Sequence, residues 1–326
     1  MNYQYVIIQA YSDYFKAMTQ QTVKRGEAIV RNGLFDCESE SVRRFLEKVY
    51  KHLPSVHLKK LCLPFLIPRN LPADKPLCFM VMGWHANDVK DYMGAYLRSR
   101  YPGCKIVCRF EDIIEKMPYH NFYEYKDHFD MLLTLDERES RKYNIPYYPS
   151  WYDECEVPED AGIEDSDVLF IGRAKDRLQE IVEVFEKLSD AGLKCKFCLV
   201  DVPEEKRIHP DRIDYCSYIP YTTVLQYVKK TKCMLEILQK DMESETLRVF
   251  EAIQYNKKLI TSNRNILTRE YYDPQKIFYY EKVQDLDPDF VNCGPEVVYE
   301  DKYREMSKPR NMLRFIDNYL SDMILW

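Results

Sequence analysis

The chain has 326 residues, 46% hydrophobic and 14% aromatic, enough apolar material for a sizeable core. At roughly 100–200 residues per domain, two domains are expected. A formal net charge of −6 speaks against a protein that coats nucleic acid, and no apolar run approaches the ~18–20 residues of a membrane span.

Tyr5–Ala10 (YVIIQA) reads as a short buried strand, followed by helical patterns to about residue 50, among them SVRRFLEKVYKHL. A stretch punctuated by Pro64, Pro68, Pro72 and Pro76 comes next. Leu77–Met82 (LCFMVM) reads as a strand that ends at Gly83-Trp84-His85. Residues 88–100 have helical periodicity, Lys105–Phe110 (KIVCRF) and Phe129–Leu135 (FDMLLTL) read as strands, and ERESRKY as a helix. Strands separated by helices imply parallel pairing in a doubly wound α/β domain.

Residues 146–166, rich in proline, tyrosine and acid, are the linker candidate. A second α/β series follows it: strand VLFIG at Val168–Gly172, helix LQEIVEVFEKLSDAG with Gly192 as its cap, strands KCKFCLVDV and IDYCSYI, helix TTVLQYVKKT, strand CMLEIL, helix Thr246–Asn256 and strand KLITSN. The expected organisation is an N-terminal domain over 1–158 and a C-terminal domain over 159–326. In the terminal segment, Met312, Phe315, Ile316, Tyr319, Leu320 and Met323 share one helical face, a pattern for packing on one of the domains.

The nine glycines include neither GxGxxG nor GxxxxGK[ST], so the usual dinucleotide and Walker phosphate loops are absent. Eleven scattered cysteines suit a reducing cytoplasm, and MNYQYVIIQAYSDYF lacks the layout of a secretory signal. Cys195 and Cys198 have the spacing of a metal pair but no companion set, and on a strand their thiols point to opposite faces. No metal site is expected.

Two segments carry chemistry. In FIGRAKDRL a strand ends at Gly172 and three cations, Arg173, Lys175 and Arg177, follow before the helix. Ligands of open α/β sheets sit beyond the carboxyl ends of strands, and a helix start otherwise prefers acids, so this cluster suits a diphosphate. In ESETLRVFEAIQYNKKLITSN, Glu243 and Glu251 stand eight residues apart around a helix start whose unpaired N–H groups and Arg248 guanidinium suit phosphate, although by spacing alone the segment equally reads as an ordinary charged helix face. A carboxylate just inside such a helix can accept two hydrogen bonds from a ribose diol.

Together these segments resemble the donor-binding half of GT-B glycosyltransferases, with their strand-Gly-Arg start and E-x7-E signature. MGWHANDVKDYMGAYLRSRYPGCKIV, FDMLLTLDERESRKYNIPYYP, YTTVLQYVKKTKCMLEIL and NILTREYYDPQKIFYY are similar to members from bacterial capsule and lipopolysaccharide biosynthesis. The resemblance spans about residues 77–280. It implies a GT-B fold, with two Rossmann-like α/β domains facing a cleft, and transfer of a sugar from a UDP- or GDP-linked donor to a glycan or lipid-linked acceptor. No cofactor is implied beyond that donor substrate. The expected location is the cytoplasm, either free or in peripheral contact with the inner face of the membrane.

By the resemblance, Glu251 holds the ribose and Glu243 contacts the donor sugar, with Glu245 as a substitute. Gly172, Arg173, Lys175 or Arg177, Thr246 and Leu247 hold the diphosphate. Ser244 and Thr246 stand where many members have glycine. An inverting mechanism needs a base from the first domain: His85, oriented or replaced by Asp88, then Glu111 or Asp112, then Asp136 or Glu137, each at a strand's carboxyl end. A retaining mechanism needs none. The tyrosines of 119–125 and 147–152 are candidates for stacking on sugar rings or for packing. Two other functions fit the same pattern: a catalytically degenerate GT-B protein that binds a nucleotide or glycan, and a nucleotide-sugar epimerase of related architecture.

Overall fold

The structure, a computed structural model, describes residues 1–9, 12–32, 35, 39–67, 71, 74–117, 122–157 and 162–322. The chain divides into two compact units: residues 1–149 with 309–326, and residues 150–308.

The first unit holds a five-stranded parallel sheet in the order β2-β1-β3-β4-β5, built from β1 (Gln4–Gln9), β2 (Ala28–Asn32), β3 (Leu77–Met82), β4 (Lys105–Arg109) and β5 (Met131–Leu133). All six residues of β3 are buried, as a central strand covered on both faces requires. β2 was not expected. AIVRN is an edge strand, mostly half-buried, and too short and mixed to stand out from the helical patterns around it. The proline-punctuated segment also differs from expectation: Val56–Leu66 is a helix that carries Pro64 in its last turn, and Leu63 and Ile67 enter the core.

The second unit holds a six-stranded parallel sheet in the order β11-β10-β9-β6-β7-β8: β6 (Ser166–Arg173), β7 (Cys195–Val200), β8 (Asp214–Cys216), β9 (Thr231–Glu236), β10 (Lys258–Thr261) and β11 (Ile277–Tyr279). Counted within the unit this is 3-2-1-4-5-6, and the first unit reads 2-1-3-4-5. Both are doubly wound orders, in which ligands bind outside the carboxyl ends of the strands where the winding reverses. Those switch points lie between β1 and β3 in the first unit and between β6 and β9 in the second. The helix Leu178–Asp190 buries Ile181, Val182, Val184, Phe185 and Leu188 against its sheet, and Gly192, at φ 85°, takes the left-handed turn that ends it.

The boundary falls at 149/150 rather than 158/159, because Trp151 and Tyr152 of the acidic linker candidate are buried and the Tyr152 N–H donates to the Ser307 carbonyl at 2.7 Å. Residues 158–161, Tyr119 and Met323 lie outside the described residues. The terminal helix Pro309–Asp322 belongs to the first unit and not to the second. It buries Met312, Leu313, Ile316 and Leu320, and its Asp317 carboxylate accepts from the N–H groups of Asn2 (2.8 Å) and Tyr3 (3.1 Å) and from the Tyr5 hydroxyl (3.3 Å). A buried carboxylate needs such donors.

Candidate functional site

In the second unit, β6 runs out at Gly172-Arg173 beside the end of β9, at the switch point. A Cβ built on Gly172 meets nothing within 4 Å, so the space above the strand end is open. Arg173 is exposed and paired at 3.0 Å with Asp201, which is also exposed. Such a surface pair contributes little and exchanges readily for an anion. Lys175 is exposed, in the loop directly behind. Arg177, the alternative to Lys175 in the expected diphosphate set, is engaged within the protein. Its guanidinium donates to the carbonyls of Ala174 (3.3 Å), Arg173 and Ile237, tying the β6 loop to the segment leaving β9.

β9 ends at Glu236, a buried residue that the sequence reading passed over. One of its carboxylate oxygens accepts the Thr246 N–H at 2.7 Å and the other the Thr261 hydroxyl at 2.6 Å, so it binds β10 and the start of the helix Leu247–Gln254 to its own strand. Burial pushes its carboxyl up to about 7 against the pull of those donors. The Thr246 N–H is therefore engaged within the protein, contrary to its expected role on phosphate. The Thr246 hydroxyl accepts from the Arg248 N–H (3.2 Å) and its carbonyl from the Val249 N–H (3.2 Å). The Leu247 N–H that opens the helix has no acceptor among the described residues.

Glu251 is fully buried. One oxygen accepts from the Tyr221 hydroxyl at 2.9 Å and the other is paired with Arg248. Burial raises its carboxyl above the ordinary range, and the Arg248 charge opposes that shift. The expected ribose contact would have to use the lone pairs that Tyr221 and Arg248 leave on the carboxylate, and the expected phosphate contact of Arg248 competes with Glu251. Glu245 is likewise consumed, held by Arg269 and by the Tyr271 hydroxyl at 2.7 Å. Glu243 stays half-buried, its carbonyl accepting the Asn265 side-chain amide at 3.1 Å.

Two residues missed in the sequence complete this end of the sheet. Glu236 pairs with Thr261 at the ends of β9 and β10, and just past that pair sit Gln239 and Asn263. Asn263 is buried. Its Oδ1 accepts the Asn265 N–H at 3.0 Å while its Nδ2 has no partner, and the buried Oε1 of Gln239 has none either. Buried polar atoms are almost always hydrogen-bonded, so an unpaired donor and an unpaired acceptor on adjacent strand ends mark a place for a polar ligand. Only a lone asparagine after KLITS signalled this in the sequence.

Two cavities of the second unit, about 390 and 290 Å³, lie at the opposite, amino ends of its strands. The lysines of the larger one are satisfied internally: Lys258 by the carbonyls of Phe290 and Cys293, Lys257 by the Lys229 carbonyl and Lys232 by Asp167. Cys198 is buried, with its thiol 3.6 Å from an Asp214 oxygen, in keeping with a packing role.

In the first unit, β3 leads into Gly83-Trp84-His85 at the β1/β3 switch point. His85 Nδ1 lies 3.4 Å from Asp88, and the Tyr92 hydroxyl donates to the other Asp88 oxygen at 2.5 Å. Tyr92 is set by a π-helical turn, Val89–Met93, closed at Gly94, where a Cβ would stand 2.8 Å from the Val89 carbonyl. Only glycine allows that approach. His85 Nε2 is buried and has no partner. Trp84 beside it is exposed.

The alternative acids are spoken for. Asp136 caps the helix Glu137–Tyr143 by accepting the Glu139 N–H at 3.1 Å, Asp112 accepts the Ile113 N–H, and Glu111 accepts the Gly83 N–H at 3.3 Å beside Arg109. Burial lifts the Glu111 carboxyl to about 8. Of the tyrosines, Tyr152 and Tyr125 are buried, the latter donating to Asn87 at 2.7 Å, while Tyr148 packs on Phe315 and Tyr123 is exposed.

No family model matches the chain, and no curated protein matches its sequence. Solved structures do match its fold. An alpha-glucosyltransferase in complex with UDP-glucose and DNA containing an abasic site aligns over 98% of this chain and 99% of its own, at 10% identity and a TM-score of 0.52. The UDP-GlcNAc 2-epimerase of Methanocaldococcus jannaschii, in complex with UDP-GlcNAc and UDP, aligns over 97% and 99%, at 12% identity and 0.50. At such identity the likeness is one of fold: two Rossmann-like α/β domains of the GT-B class.

Proposed function

We propose that this chain is a glycosyltransferase that moves a sugar from a nucleotide diphosphate to a hydroxyl of a glycan or lipid-linked acceptor, in the cytoplasmic assembly of a bacterial surface polysaccharide. The observation that carries the reading is the carboxyl end of the second sheet. There the unpaired Asn263 Nδ2, Gln239 Oε1 and Leu247 N–H gather at one switch point with the exposed Arg173 and Lys175. The polar atoms suit sugar or nucleoside hydroxyls, and the cations and helix start suit a diphosphate.

In transfer, the acceptor oxygen attacks the anomeric carbon and the bond from that carbon to the phosphate oxygen breaks. The electron pair leaves on the diphosphate, where Arg173, Lys175 and the Leu247 N–H stabilise the growing charge. Glu251 acts by fixing Arg248 and Tyr221. An inverting transfer needs a base for the acceptor proton, and within the first unit His85, with its unpaired Nε2 and with Asp88 3.4 Å from Nδ1, is the residue we propose for it. Trp84 offers an exposed ring for the acceptor sugar to stack on.

The test is to incubate the protein with UDP-, GDP- and dTDP-sugars, with and without an acceptor glycan, and to follow nucleotide diphosphate release together with the sugar product. Acceptor-dependent release supports transfer. An altered sugar nucleotide formed without acceptor points to an epimerase, and binding with no turnover to a degenerate binding protein. Either result overturns the proposal.

A further inference from the structure

Among the buried polar atoms that the first unit leaves without partners, two flank its β1/β3 switch point. One is His85 Nε2 and the other is Oε1 of Gln9, the last residue of β1. Gln9 follows the last register pair of the two strands, Ile8 with Val81, so it stands beside Met82 and the turn that carries His85. The chain leaves the two strands toward opposite faces of the sheet. Ile8 packs with Val89 and Met93 of the segment behind His85, while Gln9, the next residue, points to the other face and meets Thr19 of the helix Asp13–Lys24. Connections that diverge in this way open the crevice in which doubly wound sheets bind their ligands.

The orientation of the Gln9 amide is fixed by its neighbours. The Thr19 hydroxyl spends its proton on the Phe15 carbonyl at 2.8 Å, so toward Gln9 its oxygen can only accept, and Gln9 Nε2 is the donor that it faces at 3.3 Å. The same nitrogen donates to Asn32 Oδ1 on β2. Oε1 is thereby turned away from both, buried and with no donor. At His85 the proton of the neutral ring lies on Nδ1, toward the Asp88 carboxylate, which leaves Nε2 with its lone pair. Both leftover atoms are therefore acceptors, and a buried acceptor without a donor is costly. The cations at the ends of the neighbouring strands are Arg31 on β2 and Arg109 on β4, and Arg109 is taken up by Glu111 and the Pro149 carbonyl.

We propose that the crevice of the first unit selects an uncharged sugar as acceptor, with Gln9 as the residue that sets this specificity. Gln9 Oε1 receives one sugar hydroxyl while a second hydroxyl faces His85 Nε2. Two acceptors suit a polyol and repel a carboxylate or phosphate, whose oxygens bring no protons. That the hydroxyl at His85 is the one that reacts rests on the transferase reading, whereas the binding does not.

The test reads binding alone. Methyl glucoside, galactoside and mannoside, with the uronic acid and 6-phosphate of each, are titrated against the full chain by saturation-transfer NMR. At least one neutral glycoside should bind about tenfold or more tightly than its acidic forms, because a buried charge needs a partner. Gln9→Met should weaken that binding roughly fivefold to tenfold, the worth of one hydrogen bond. Asn32→Ala removes an inner bond of Gln9 without touching Oε1, so its affinity should stay within about twofold of wild type. Acidic sugars that bind as well as neutral ones, a Gln9→Met protein that binds as wild type does, or the absence of glycoside binding overturns the proposal. So does an equal loss in Asn32→Ala, because Gln9 would then serve only the packing of β1 on β2. If Gln9→Met does not fold, the selectivity of the wild-type chain decides. An epimerase or a sugar-binding protein with this crevice would still pass, so the transferase reading can fail by itself.

Discussion

The two units share a doubly wound parallel sheet, and they treat the polar groups at its carboxyl end in opposite ways. In the second unit, charge is buried to build a frame: Glu236, Glu245 and Glu251 are each spent on neighbouring donors, and the frame leaves Asn263, Gln239 and the Leu247 N–H without partners. In the first unit the acids at the strand ends are caps or braces, and the unpaired buried atoms there include His85 Nε2, backed by Asp88 and Tyr92, and Gln9 Oε1 at the end of β1. Several unsatisfied groups arranged around a strand end are suited to hold a ligand. An unsatisfied basic nitrogen is suited to move a proton. Of the carboxylates picked out by spacing, Glu245 and Glu251 are held by neighbouring donors, and Glu243 stays half-buried.

The sharpest break between the units is His85→Ala. If His85 is a base, turnover falls by about 10²–10⁴ while nucleotide affinity is unchanged, measured by steady-state rates and calorimetry. A retaining reaction would leave turnover near wild type. Next in size, Glu251→Ala strands Arg248 and the Tyr221 hydroxyl in a buried site and should cost about 3 kcal/mol of stability by denaturant titration. A stable variant that only loses ligand would return Glu251 to direct contact.

Asn263→Asp keeps the acceptor for the Asn265 N–H but removes the free amide donor. Donor-sugar affinity should fall roughly tenfold, the worth of one hydrogen bond into a buried site. The smallest effect is in pH. Glu236, at about 7, and Glu111, at about 8, hold their protons in the folded state above the 4.5 of an ordinary glutamate. Between about pH 4.5 and 8 the folded chain binds more protons than the unfolded one, so stability falls as pH rises through that window and levels off above it. Melting temperatures at pH 5.5 and 8.5 should show the decline, and Glu236→Gln should flatten its share.

Strands such as LCFMVM were legible because buried parallel strands are continuous apolar runs, and that sufficed for two α/β series. The edge strand AIVRN, exposed along one side, lacks such a run, and the helix over Pro64 was hidden because a proline in a last turn reads as a break. The terminal helix was legible as an amphipathic face, but its assignment to the first unit rests on Asp317 reaching Asn2, Tyr3 and Tyr5, contacts across more than 300 residues that no local pattern encodes. For the site, the positions of Arg173, Lys175 and His85 at strand ends followed from order along the chain. Which acids would be consumed did not, because the partners of Glu236, and Tyr221 as a partner of Glu251, lie at least ten residues away in the chain.

The most direct test of the central claim is thermal stabilisation by UDP, GDP, dTDP, ADP and CMP, with an Arg173→Ser/Lys175→Ser protein alongside. A ligand at 100 times its Kd adds about 2.7 kcal/mol, an easily read shift. Stabilisation by one nucleoside diphosphate, lost in the double variant while its own melting temperature holds, is the predicted result. No shift with any nucleotide or its sugar conjugate would contradict the account.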